Sequence, residues 1–118
     1  MNFKLAAYDA TKIPFELIQL NSVIDEVLYF SAEKISHYRI DLDIDPSIDE
    51  FIVECQPIRL GQVVLNLVNN SFDAIKHLDN RWIKVTASVE YDTNHVCVSF
   101  VDSGPGIEAE VVEKMMDP

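Results

Sequence analysis

The sequence is 118 residues long, 48% hydrophobic and 25% charged, with 9 Lys and Arg against 20 Asp and Glu. That length and balance describe one globular domain with a core, not a disordered chain. The formal charge of -11 excludes a nucleic-acid backbone or an anionic membrane surface as partner, since both call for a basic stripe. A nucleotide stays open, because Mg²⁺ and a few local donors outweigh a distant field.

Residues 1–14 read as a lead-in, with Pro14 blocking a regular helix. Phe15, Leu17 and Leu20 mark a short extended segment. Asn21 or Ser22 is expected to cap a helix, with Asp25 and Glu26 in its first turn. Val23, Ile24, Val27, Leu28 and Ile35 recur at helical spacing and carry that helix to about His37. Tyr38 to Ile44 alternates as a half-exposed strand, and Asp45-Pro46-Ser47 breaks it. Phe51 to Glu54 is a second strand.

Pro57 suits the first turn of the next helix, where a missing amide costs little. That helix is predicted over 57–78, burying Leu60, Val63, Val64, Leu67, Val68, Ser71, Ala74, Ile75 and Leu78. Trp82–Tyr91 and His95–Val101 form a hairpin around Asp92-Thr-Asn94. Glu108 to Met115 reads as a short helix. The expected fold class is α+β: a two-layer α/β sandwich, one mixed sheet with helices on one face.

Cys55 and Cys97 are expected as buried free thiols in a reducing compartment. No secretory leader and no apolar run of spanning length occur. These features predict a soluble, intracellular piece.

Two segments carry chemistry. Asn66, Asn70, Asp73 and His77 fall on one face of the predicted helix, with Asn69 beside them. Asparagine is a poor interior helix former, so several on one face suggest use. An ordinary solvated face remains the plain alternative. An amide oxygen is a hard ligand for Mg²⁺, and its NH₂ can donate to phosphate. The second segment is Asp102-Ser103-Gly104-Pro105-Gly106-Ile107 at a strand end. A carboxylate there can accept from an exocyclic amine, and Gly104 and Gly106 admit a flat ring close to the backbone. A simple Asp-Gly turn is the alternative. There is no Walker loop and no dinucleotide fingerprint.

Together the pattern Gln62-x-x-x-Asn66-Leu67-x-x-Asn70-Ser71-x-Asp73-Ala74 and Asp102-x-Gly104-x-Gly106-Ile107 resembles the N box and first glycine box of the GHKL ATPase superfamily. Within it, the chain resembles the ATP-binding catalytic domain of sensor histidine kinases, from about Phe15 to Pro118. The resemblance implies the Bergerat-type ATP-binding sandwich. It implies Asn70 as the Mg²⁺ ligand, Asn66 facing the phosphates and Asp102 accepting the adenine amine. It also implies Gly104 and Gly106 shaping the adenine pocket and Ile107 closing part of it. ATP and Mg²⁺ are the implied ligands. The implied partners are a histidine-bearing dimerisation domain of the same protein and a response regulator. The implied setting is the cytoplasmic part of a homodimeric, membrane-associated sensor.

Hydrolytic members of the superfamily carry a glutamate at position 66 as general base. An amide cannot take that proton, so Asn66 favours transfer to a histidine over hydrolysis. Asp73 stands where many histidine kinases place a phosphate-touching Lys or Arg, and reads as a cap or fold contact. His37, His77 and His95 lie inside the catalytic-type region, so none matches the phosphorylated histidine. Met116-Asp117-Pro118 resembles the start of the segment leading into the family's lid and second glycine box. The domain is therefore expected to be incomplete at its C-terminus, with Val98 and Phe100 short of cover and the piece prone to self-association. A non-catalytic nucleotide-binding or interaction module, a GHKL-type ATPase and a serine kinase of the anti-sigma type are the alternatives.

Overall fold

The computed structural model describes residues 13–105 and 109–115. Its elements run β1 (Glu16–Gln19), α1 (Leu20–Phe30), α2 (Ala32–His37), β2 (Asp41–Ile44), a 3-10 turn (Pro46–Glu50), β3 (Ile52–Cys55), α3 (Pro57–Ile75), β4 (Trp82–Glu90), β5 (His95–Asp102) and β6 (Ala109–Met115). They form a six-stranded sheet in the order β1-β3-β6-β5-β4-β2. β2 runs parallel to β4, and the other pairs are antiparallel. The expected mixed sheet is present.

Alternation along the strands builds the core. Val53 and Cys55 of β3, Ile83 and Val85 of β4, and Val96, Val98 and Phe100 of β5 are buried. They join Leu20, Val23, Ile24, Val27 and Leu28 of α1 and Leu60, Val64, Val68, Phe72 and Ile75 of α3 in one cluster. The helices therefore cover one face of the sheet. Among the described residues, no helix is long and apolar enough to cross a membrane.

Four local expectations change. The first helix starts at Leu20, with Gln19 at its N-cap and no acidic residue in the first turn. Asn21, Ser22, Asp25 and Glu26 are thus inside the helix, and Ser22 Oγ donates back to the Gln19 carbonyl at 2.6 Å. The helical run breaks at Ser31 into α1 and α2. β2 begins at Asp41, because Arg39 adopts φ 52° and turns the chain after α2. α3 stops at Ile75 rather than Leu78. Arg81 Nη1 donates to the carbonyls of Leu78 at 2.8 Å and Lys76 at 3.4 Å, satisfying acceptors just beyond the helix end.

The largest correction is at 109–115. A helix is expected there, yet the segment is β6, inserted between β3 and β5. Both neighbours need partners for their backbone N–H and C=O groups, and that demand outweighs local helical pattern. Val98 and Phe100 lie in the core cluster under the helices, each 1% exposed. The bare edge argued from the sequence is absent from this part of the sheet.

Candidate nucleotide site

α3 starts with Pro57 at its first turn and presents a row at i, i+4 spacing through Asn66, Asn70 and Ala74. Asn66 is half-buried and Asn70 is exposed. Asn69, beside them, is half-buried. Ala74 is the point where the second segment arrives. A Cβ built on Gly104 would stand 3.3 Å from the Ala74 Cβ, 3.6 Å from its carbonyl oxygen and 2.8 Å from Asp102 Oδ1. The glycine is there for want of room, since tight neighbours surround it on the helix side and the turn side.

Asp102 ends β5 opposite Ile83 of β4. Its Oδ1 accepts the Gly104 amide at 2.8 Å, closing a side-chain turn. That bond engages one carboxylate oxygen. Ser103 anchors the same turn to the start of β4: its backbone N–H donates to the Trp82 carbonyl at 3.1 Å, and its Oγ accepts the Trp82 N–H at 3.0 Å. The hairpin thus carries Asp102 to the C-terminal end of α3, one turn beyond Asn70. Gly104 meets α3 at Ala74, one turn after Asn70 and two turns after Asn66. Gly106 and Ile107 lie outside the described residues.

Two sequence candidates stand apart. Asp73 is exposed and, among the described residues, makes only a long contact, 3.5 Å, to Lys76 Nζ. His77 is exposed and follows the end of α3, so it does not continue the helical face. Ser103 and Ala74 were not singled out for this site from the sequence. Ala74 closes the motif quoted on the helix, but neither residue's role could be read there, because both depend on a hairpin and a helix meeting.

Among the described residues, no group of three or more His, Cys, Asp and Glu could hold a metal ion. Mg²⁺ needs no such cage. It keeps waters and phosphate oxygens and takes few protein ligands. The exposed Asn70 amide, one turn before Ala74 where Gly104 leaves no space for a Cβ, fits that requirement.

Cys55 and Cys97 are free and buried. Burial, then the nearby Glu113 and Glu16, push the Cys55 thiol up to about 11. Glu113 of β6 is held above the usual carboxylate range by burial, with Arg59 and His95 pulling the other way. A cavity of about 270 Å³ lies beside it, lined by Phe15, Gln56, Arg59, Leu60, Val63 and Glu113.

Residues 55–118 match the family described as histidine kinase-, DNA gyrase B-, and HSP90-like ATPase. The catalytic domain of histidine kinase ThkA, in a nucleotide-free form, superposes with a TM-score of 0.66 at 36% identity, covering 79% of this chain and 60% of that one. ThkA in complex with the response regulator TrrA gives 0.69 at 35% identity, covering 79% of this chain and 27% of that one. The sensor protein ChvG of Agrobacterium fabrum is 25% identical over 120 residues, which is 99% of this chain and 19% of ChvG. The chain therefore spans about a fifth of that curated relative's length.

Proposed function

The chain belongs to the family of histidine kinase-, DNA gyrase B- and HSP90-like ATPases, and from that premise we propose that it is the ATP-binding catalytic domain of a sensor histidine kinase. ATP with Mg²⁺ is the ligand that membership implies. In this reading Asn70 supplies an amide oxygen to the metal, Asn66 faces the phosphates, and Asp102 accepts the adenine amine. Gly104 and Gly106 keep side chains out of the adenine pocket, and Ile107 closes part of it. A histidine nitrogen outside this chain takes the γ-phosphoryl group, and ADP leaves with the electron pair of the broken bridging P–O bond.

One observation carries the reading. The near-contact of Gly104 with Ala74 sets the Asp102 turn at the end of the Asn66–Asn70 row. A base-recognising carboxylate and phosphate-side amides then lie along one helix. The amide at position 66 supports transfer over hydrolysis, since it cannot act as general base.

The proposed partners follow from the same reading. They are a histidine-bearing dimerisation domain in a homodimer and a response regulator; the solved complex of ThkA with TrrA supports the second. We place residues 15–118 as the first part of the catalytic domain, on the cytoplasmic side of a membrane-associated sensor, where ATP is available.

Titration of ATP and GTP into the full-length protein tests the site. Asn70→Asp and Asp102→Asn should each weaken ATP binding by roughly ten- to a hundredfold, the range of a lost charged or metal-linked contact. Asp102→Asn should also narrow the preference for ATP over GTP. Unchanged binding in both variants would remove the assignment.

A further inference from the structure

We propose that Arg59 is a further phosphate-binding residue of this site, taking the terminal phosphate of the nucleotide; the proposal rests on the ATP reading above. Arg59 is the one basic residue within α3. Taken at 100° per residue, Arg59, Val63, Asn66 and Asn70 fall within a narrow sector of the helix. Arg59 stands two turns before Asn66, about 10 Å along the axis at 1.5 Å per residue. A fully extended arginine covers most of that distance, and a phosphate chain leaving Asn70 towards Asn66 covers the rest.

The surroundings of Arg59 support the assignment. Its side chain is exposed; its charge acts on Glu113 of β6 at the same cavity, without a hydrogen bond or close ion pair to another described residue. It lines a cavity of about 270 Å³ near the N-terminal end of α3, with Leu60 and Val63 of the same helix as apolar walls. A guanidinium over a partly apolar wall, with its fork of donors unused, is suited to phosphate oxygens.

Charge balance points the same way. The chain carries -11 overall, and Asp73 puts a negative charge on the Asn70 turn. A polyphosphate on this helix therefore needs a cation from elsewhere. Glu113 faces the same cavity, but burial raises its pKa. At a given pH it opposes an incoming phosphate less than a free carboxylate would.

The direction of the nucleotide gives the inference its sharpest consequence. Asp102 lies at the Ala74 end of α3 and Arg59 at the opposite end. If adenine sits at Asp102, the γ-phosphate is the group nearest Arg59. Loss of Arg59 should then be felt by ATP and much less by ADP.

The test titrates ATP, ADP and adenosine into the full-length protein and into Arg59→Ala and Arg59→Lys, by calorimetry, with thermal unfolding of each variant. Arg59→Ala should weaken ATP by roughly ten- to a hundredfold and ADP by less than about threefold, within the error of such contacts. Adenosine binding and the unfolding temperature should not change. Arg59→Lys should recover part of the ATP affinity, since it restores a point charge without the fork. Equal losses for ATP and ADP, a loss for adenosine, or no loss at all would overturn the role of Arg59. A wild-type protein that binds neither ATP nor ADP would instead remove the nucleotide reading itself.

Discussion

Gly104 approaches Ala74 so closely that one added methyl group would lie 3.3 Å from the Ala74 Cβ, and 2.8 Å from Asp102 Oδ1. This contact joins the hairpin to α3. It predicts that Gly104→Ala forces the Asp102 turn away from the helix. The expected cost is about 1–3 kcal/mol, typical of overpacking a tight site. ATP binding should fall in parallel, because Asp102 moves with the turn. A Gly104→Ala protein with unaltered unfolding temperature and ATP affinity would show that the two segments adjust independently.

Ser103 Oγ accepts the Trp82 amide at 3.0 Å. Ser103→Ala leaves that amide without its partner at the junction of turn and sheet. The expected destabilisation is about 1 kcal/mol, the range for one hydrogen bond partly open to water. Hydrogen exchange at Trp82 should speed up more than exchange at Val98 in the centre of β5. Uniform acceleration along β5 would assign the effect to global stability instead.

Two acids in the β3–β6 region have raised pKa values, Glu113 and Cys55. An acid whose folded pKa exceeds its unfolded one binds protons more tightly when folded, so its contribution fades as pH rises. Glu113 should therefore cost stability progressively above its unfolded value of about 4.3. Cys55 should do so between about 8.5, the usual thiol value, and about 11. Chemical unfolding across pH should show both arms. Cys55→Ala should flatten the alkaline arm alone, whereas Glu113→Gln should flatten the acid arm and also lessen the alkaline one, because the Glu113 charge helps raise Cys55. At neutral pH Cys55 should resist alkylation until the protein unfolds, because the thiolate is the reactive form.

Asn66→Glu would place a carboxylate on the helix where hydrolytic members of the superfamily have their base. General base catalysis supplies about 10²–10⁴-fold when well positioned, and a graft without supporting hydrogen bonds should supply far less. A modest gain in phosphate release, with reduced transfer to the acceptor histidine, is expected after normalising to bound ATP. If the unmodified protein already hydrolyses ATP as fast, position 66 does not govern the choice between transfer and hydrolysis.

Much of this architecture was legible in the chain. The α3 stripe read from Leu60 to Leu78, which the structure ends at Ile75, the hairpin of Trp82–Tyr91 and His95–Val101 and the break at Asp45-Pro46 all follow from periodicity and turn chemistry. Phe72 was missed in the core, although it continues the i, i+4 row of Leu60, Val64 and Val68. The strand at 109–115 was missed for a stronger reason. Its partners are Val53 and Glu54 on β3 and His95 to Phe100 on β5, all distant in sequence, and no local signal reports a vacant slot in a sheet.

By itself, the sequence determined which residues could do chemistry: amides at 66 and 70 on an otherwise apolar helix, and an acid before a glycine turn. Those assignments rest on side-chain chemistry and local spacing, which the chain carries directly. Only the tertiary structure decided that the acid meets the helix at Ala74, that Ser103 ties the turn to Trp82, and that Arg59 shares a cavity with Glu113 of β6. Each of those depends on two elements brought together by burial of the core, and burial is a property of the whole chain.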